Sequence, residues 1–153
     1  MEQVSGRAGR KHEQGKVLIQ VRNIKHPVLH YVREHDYTNF VQAELKSRQQ
    51  FFYPPFSRMV QVVFKHKDMD TVMAASKIFA NGLRINFGQY LVGPAQPVVG
   101  RVRNQYLMEL MIKLPRDKQI LQHCKLEIQQ QTAILHNDKK FRSVTIVPDI
   151  DPI

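Results

Sequence analysis

The chain has 153 residues and 17.9 kDa, with 23 Lys+Arg against 13 Asp+Glu and a formal charge of +10. That length holds one domain, or a small domain plus a fragment of another, and a hydrophobic share of 42% excludes a disordered basic tail. The single Cys124 excludes an intramolecular disulfide framework and any multi-cysteine zinc or iron–sulfur site.

The longest apolar runs fall far short of the ~18 residues a membrane span needs. Residues 1–16 carry no apolar signal core, so the expectation is a cytoplasmic protein with no membrane partner. Residues 1–50 hold nine Lys+Arg and five Asp+Glu, and residues 51–153 hold fourteen and eight. Both halves are therefore basic, and the expected partner is a polyanion.

In chain order, Val17 to Val21 is a short β-branched run that reads as a buried parallel strand. Pro27 suits a first helical turn, with Val28, Leu29 and Val32 at helical spacing. Asp36 reads as the N-cap of a second helix bearing Tyr37, Phe40, Val41 and Leu45. The segment 51–57, FFYPPFS, breaks the pattern, because consecutive prolines continue neither a helix nor a central strand. It reads as a docked hinge, its aromatics forming a seam between two domains.

Beyond it, Val60, Val62 and Phe64 share one strand face, with Gln61 and Lys65 on the other. Asp70 is expected to cap a helix carrying Val72, Ala75, Ile78 and Phe79, with Gly82 and Gly88 near its end. Tyr90 to Val92 is a short strand closed by Gly93-Pro94. Tyr106, Met108, Leu110, Ile112 and Leu114 alternate with Gln105, Glu109 and Lys113 in the clearest strand of the chain. Asp117 caps a helix with Ile120, Leu121, Cys124, Ile128 and Leu135 on one face, and Val144 to Val147 is the last strand. The order β-α-β-β-α-β predicts an α+β, ferredoxin-like domain with two helices on one side of the sheet.

Gln3-Val4-Ser5-Gly6-Arg7-Ala8-Gly9-Arg10 places two arginines three apart between glycines. Arginine binds phosphate oxygens bidentately and keeps its charge, and the glycines let the backbone approach another group closely. The octet is similar to motif VI of superfamily 2 helicases. After it come GKVLIQV at 15–21, HP at 26–27, DYxxF at 36–40, EL at 44–45, Arg48, YPPF at 53–56, GP at 93–94 and DIDP at 149–152. Together these resemble the C-terminal part of the PriA family of replication-restart helicases, also called primosomal protein N′, over essentially the whole chain.

The resemblance implies that residues 1–50 are the end of a RecA-like motor lobe, 51–57 a Pro-Pro hinge, and 58–153 a C-terminal DNA-binding or docking domain. It implies that Gln3, Gly6, Arg7 and Arg10 contact nucleotide, with Arg10 the arginine finger and Arg7 its companion. ATP and Mg²⁺ would be the cofactors of the intact parent, whose activity is 3′-to-5′ DNA unwinding, and zinc is a further parental cofactor. The implied partners are forked and single-stranded DNA, the upstream helicase lobes, single-strand-binding protein and other primosome proteins. Departures accompany the likeness: no G-x-x-x-x-G-K-[ST] loop, no D-E-x-H motif and no zinc-ligand cysteines occur here. The chain is therefore expected to hydrolyse no ATP alone, and residues 1–50 to order poorly without the sheet they belong to.

Arg101 and Arg103, at i and i+2 of an extended segment, are candidates to face one nucleic-acid backbone, with Tyr106 assigned to the core rather than to base stacking. Lys139, Lys140 and Arg142 form a second basic cluster, and Arg58, Lys65 and Lys67 a third. Arg116 stands where the resembling family is thought to meet the acidic tail of single-strand-binding protein. His26 and His30 lack a third ligand and read as no metal site, His30 packing on Phe40 instead. Asp149 and Asp151, between Pro148 and Pro152, read as a rigid strap salt-bridged to the motor lobe. Cys124 reads as a small core residue.

Two rivals stand beside this reading. A stand-alone RNA-binding module would share the sheet, but Arg103 to Met108 lacks the glycine and paired aromatics of an RNA-recognition strand. A purely structural docking domain would leave the charge of +10 without a nucleic-acid role.

Overall fold

The computed structural model describes residues 18–152. The chain divides between Ser47 and Arg48 into two compact units.

In the first unit, helix α1 (Pro27–Arg33) opens with Pro27 in its first turn, and His26 Nδ1 accepts the Val28 N–H at 3.3 Å. Helix α2 (Tyr37–Gln50), whose last three residues fall in the second unit, starts at Asp36, whose carboxylate accepts the Asn39 N–H at 3.1 Å and its Nδ2 at 2.6 Å. Those bonds from Asn39 hold the Asp36 carboxyl below its ordinary value. Tyr31, not His30, meets Phe40, with ring centroids 5.9 Å apart; His30 is exposed and tilts against Tyr31.

Residues 18–21 do not form the expected strand, and Leu18 is 98% exposed. A buried parallel strand needs neighbours on both edges and helices on both faces. The described residues supply neither to this segment, so the apolar run has nothing to pair with among them.

The second unit is a mixed helix and antiparallel-sheet domain. Its elements are β1 (Arg58–His66), α3 (Met69–Phe87), β2 (Leu91–Ala95), β3 (Arg101–Val102), β4 (Gln105–Leu114), α4 (Lys118–Asn137) and β5 (Thr145–Ile150), with a single 3₁₀ turn at Gly88–Tyr90. Strand order is β2-β4-β1-β5, all neighbours antiparallel, and the short β3 also pairs with β4.

Val60, Val62 and Phe64 of β1 and Met108, Leu110, Ile112 and Leu114 of β4 turn to one face. There they pack with Val72, Ala75, Phe79, Ala80 and Leu83 of α3 and with Cys124, Ile128 and Leu135 of α4. Phe64 and Phe79 meet edge to face at 5.1 Å. Each fully buried aliphatic or aromatic side chain contributes about 1.5–3 kcal/mol. A one-residue slip of β1 would expose three such side chains and bury Gln61 and Lys65, which fixes the register.

The caps follow local chemistry. Asp117 Oδ1 accepts the Gln119 and Ile120 N–H groups at 2.8 and 2.9 Å, as expected. For α3 the cap is Asp68, not Asp70: Asp68 accepts the Thr71 N–H at 2.8 Å, and Asp70 sits in the first turn. Hydrogen bonding from Thr71 lowers the Asp68 pKa. Helix α3 also continues through Gly82 to Phe87.

Gly93 and Pro94 lie inside β2 rather than closing it, at an irregularity in its pairing with β4. The last strand starts at Thr145, one residue later than expected, leaving Val144 buried ahead of it.

Segment 51–57 is held by side chains of its own unit. Lys113 Nζ donates to Phe51 O at 3.1 Å and lies 3.7 Å from the Tyr53 ring centre, while Arg48 reaches Pro54 O at 3.2 Å. Ser57 Oγ, buried, donates to Phe52 O at 2.9 Å.

Candidate nucleic-acid interface

The register of the sheet brings three separate basic segments to one end of it. Arg101 on β3 lies opposite Tyr106 on β4, and Tyr106 lies opposite His66, the last residue of β1. On the other side of β1, Lys65 lies opposite Thr145, the first residue of β5. His66 Nε2 is 3.0 Å from Ser143 Oγ, which ties the loop 138–143 to the same end. The hairpin arginines, Lys65 and Lys67, and the Lys139-Lys140-Arg142 loop thus form one rim. It crosses four strands, about 14 Å at ~4.8 Å per strand.

Each segment is anchored differently. Arg101 lies over the Tyr106 ring, 4.9 Å from its centre, and bonds the Asn104 side-chain oxygen. That is a cation–π contact at an exposed edge, and it fixes the guanidinium without neutralising it. Arg103 and Asn104 form the two-residue turn between β3 and β4, with φ of 48° and 63°. Arg103 is therefore not extended, and the expected same-side placement of Arg101 and Arg103 does not occur. Arg103 is exposed in that turn and makes no side-chain pair among the described residues.

The second cluster is pinned by Phe141, buried in the core, and by Asp138, whose carbonyl accepts the Phe141 and Arg142 N–H groups at 3.0 Å each. Asp138 Oδ1 accepts the Lys140 N–H at 2.8 Å. Lys139, Lys140 and Arg142 all remain exposed. Three carboxylates, Asp68, Asp70 and Asp138, accompany the seven cations, and none forms an ion pair with them within 4 Å among the described residues. Cations gathered on a sheet end with no carboxylate within 4 Å among the described residues suit a polyanion better than a stabilising ion-pair network.

Other expected sites fall elsewhere. Arg116 donates to Pro55 O at 3.3 Å, at the end of β4 opposite the rim. Arg58 belongs to that end too and is bonded to Asp151. The partners of Asp151 are Arg58 and the Met59 backbone, within its own unit. Cys124 is buried, and burial pushes its thiol up to about 11. Gln3, Gly6, Arg7 and Arg10 lie outside the described residues. Among the described residues no group of three His, Cys, Asp or Glu is placed to hold a metal, and no helix is long and apolar enough to cross a membrane.

A family model described as the primosomal protein N C-terminal domain matches residues 49–153, more than half of the chain. The chain belongs to this PriA C-terminal family. The replication restart protein PriA of Bacillus subtilis is 30% identical over 147 residues, covering 90% of this chain and 18% of that protein. PriA of Treponema pallidum is 32% identical over 160 residues, covering all of this chain and 22% of its own length. In Haemophilus influenzae the PriA match is 28% identical over 98% of this chain and 20% of that protein. The chain thus spans about a fifth of the PriA proteins it matches. The whole sheet, with all three basic segments of the rim, lies inside the region the family model covers.

Proposed function

We propose that residues 58–153 form the DNA-binding and docking domain of a PriA-type replication-restart protein, acting on forked or single-stranded DNA in the cytoplasm. The observation that carries this reading is the basic rim. Three segments far apart in sequence converge on one sheet end, with cations that form no ion pair within 4 Å there among the described residues. Strand order β2-β4-β1-β5, with both helices on one face, supports the ferredoxin-like architecture, β3 being an added hairpin strand.

Residues 1–50 would be the end of a RecA-like lobe, joined through 51–57. Gln3, Gly6, Arg7 and Arg10 would contribute to an ATP and Mg²⁺ site whose phosphate loop belongs to upstream helicase lobes, so this chain alone turns over no ATP. Arg116, whose five N–H donors show one carbonyl partner among the described residues, is the proposed contact for single-strand-binding protein. Zinc would belong to other parts of such a protein.

The test is fluorescence anisotropy with labelled forked DNA, single-stranded DNA and a matched RNA. Tighter binding of DNA than RNA, weakened by Arg101→Ala/Arg103→Ala and by Lys139→Ala/Lys140→Ala/Arg142→Ala, is expected. Preference for RNA would favour the stand-alone RNA module, and no binding of either would favour a purely structural docking domain.

A further inference from the structure

On β4, Leu107 and Glu109 are two residues apart, so an antiparallel neighbour needs one residue between the positions opposite them. The neighbouring edge places Ala95 opposite Glu109, and Gly100 O accepts the Leu107 N–H at 3.0 Å. Four residues, Gln96 to Val99, occupy that single-residue gap. They must loop out of the sheet edge.

The loop is closed at its base, where the Gln96 side chain lies over Gly100 so tightly that a Cβ there would collide with it. What the loop presents outward is apolar: Val98 is fully exposed and Val99 is 62% exposed. Val102, beside the hairpin tip, is also exposed. Isolated exposed valines need no explanation, but three on one protruding edge, bracketing Arg101, form a patch. Nothing else in the loop is charged, so the arginines beside it set the chemistry of what it meets.

We infer that the 96–104 edge is a junction wedge. Val98 and Val99 press against the terminal base pair at a DNA branch, while Arg101 and Arg103 hold the phosphates on either side. Apolar side chains inserted at a base step, flanked by cations on the backbone, are a recurring means of unstacking DNA. Charge complementarity selects this occupant over a protein surface: an apolar loop seated beside two arginines fits a stacked base pair framed by phosphates. The inference rests on the DNA-binding reading above and adds to it the feature that distinguishes a branch from a plain strand.

The test uses the whole chain with a Val98→Ser/Val99→Ser variant. The probe is a forked DNA carrying 2-aminopurine in the first paired position, beside single-stranded DNA of the same length. The parent chain is expected to raise 2-aminopurine fluorescence at the junction and to bind the fork more tightly than the single strand. The variant should lose the fluorescence rise and roughly tenfold of fork affinity, the scale expected from removing buried valine surface. Its single-strand affinity and melting temperature should be unchanged.

Fork binding by the parent chain with no rise in 2-aminopurine fluorescence overturns the wedge and leaves the DNA-binding reading intact. A variant equal to the parent in both readouts also overturns it. No DNA binding by the parent overturns both.

Discussion

Asp151 closes onto Arg58: Oδ2 lies 2.5 Å from Nη1, while Oδ1 accepts the neighbouring Met59 N–H at 3.0 Å. The Asp151 N–H in turn donates to Met59 O at 2.7 Å, so the last turn of the chain is buttoned to the first residues of β1. The Asp-Ile-Asp-Pro ending works as a strap within its own unit.

The Met59 N–H bond, ahead of the Arg58 contact, holds the Asp151 carboxyl below its ordinary value of 3.8. A carboxyl lowered in the folded state contributes stability that is fully present above the unfolded value and is lost as pH falls through the folded one. Asp151→Ala should lower stability by about 1 kcal/mol at neutral pH, after allowance for solvent screening. The deficit relative to the parent should shrink below pH 3.8. Urea melts of both proteins between about pH 6 and pH 2 check this.

The bonded Met59–Asp151 pair also sets the phase of the β1–β5 ladder. Alternation makes Gln61–Asp149 and Val63–Val147 bonded pairs, and leaves Pro148, opposite Val62, with its nitrogen facing outward. A proline there removes one donor from an edge strand and discourages pairing with a second sheet. Pro148→Val restores that donor and is expected to raise self-association in sedimentation velocity as concentration increases. A variant that stays as monodisperse as the parent would remove this role from Pro148.

Gly93 has φ of +102°, and a Cβ there would sit 3.0 Å from Glu109 O and 3.1 Å from Ala95 N. Both neighbours are backbone and cannot swing aside. Gly93→Ala should therefore cost about 1–2 kcal/mol or more in thermal or urea unfolding.

The Cys124 thiol is buried, and burial, with Glu127 nearby, pushes it up from 9.0 to about 11. A thiol raised in the folded state holds its proton while the unfolded one loses it, so stability falls as pH rises through that window. At neutral pH the native chain should resist alkylation by iodoacetamide and react only once unfolded, as mass spectrometry can follow.

The core of the second unit is legible in the sequence because one-sided burial imposes alternation. Val60-Val62-Phe64 and Met108 to Leu114 read directly as inward columns, and Asp117 reads directly as a cap. Lys-Asp-Met-Asp-Thr, by contrast, places Asp68 two residues ahead of the expected cap Asp70, and the helix starts from the earlier aspartate. What decides it is where β1 ends: His66 Nδ1 accepts the Asp68 N–H at 3.0 Å, while the other ring nitrogen lies 3.0 Å from Ser143 Oγ, a contact no local pattern encodes.

The β3–β4 hairpin escapes a sequence reading because its turn is Arg103-Asn104, which lacks the glycine that marks most two-residue turns. Val17 to Val21 misleads because a β-branched run names a strand without naming its neighbours. The rim itself is visible in the sequence only as three unrelated clusters. Their meeting depends on the pairings of Tyr106 with His66 and of Lys65 with Thr145, which no local pattern encodes.

The rim as a single phosphate-tracking surface is tested most directly by the salt dependence of single-stranded DNA binding. The logarithm of affinity should fall linearly with the logarithm of salt concentration. Arg101→Ala/Arg103→Ala and Lys139→Ala/Lys140→Ala/Arg142→Ala should each flatten the slope, by ~0.7 for every phosphate no longer neutralised. The combined variant should flatten it by the sum. A parent slope near zero, or a parent slope kept by both variants, would contradict the account.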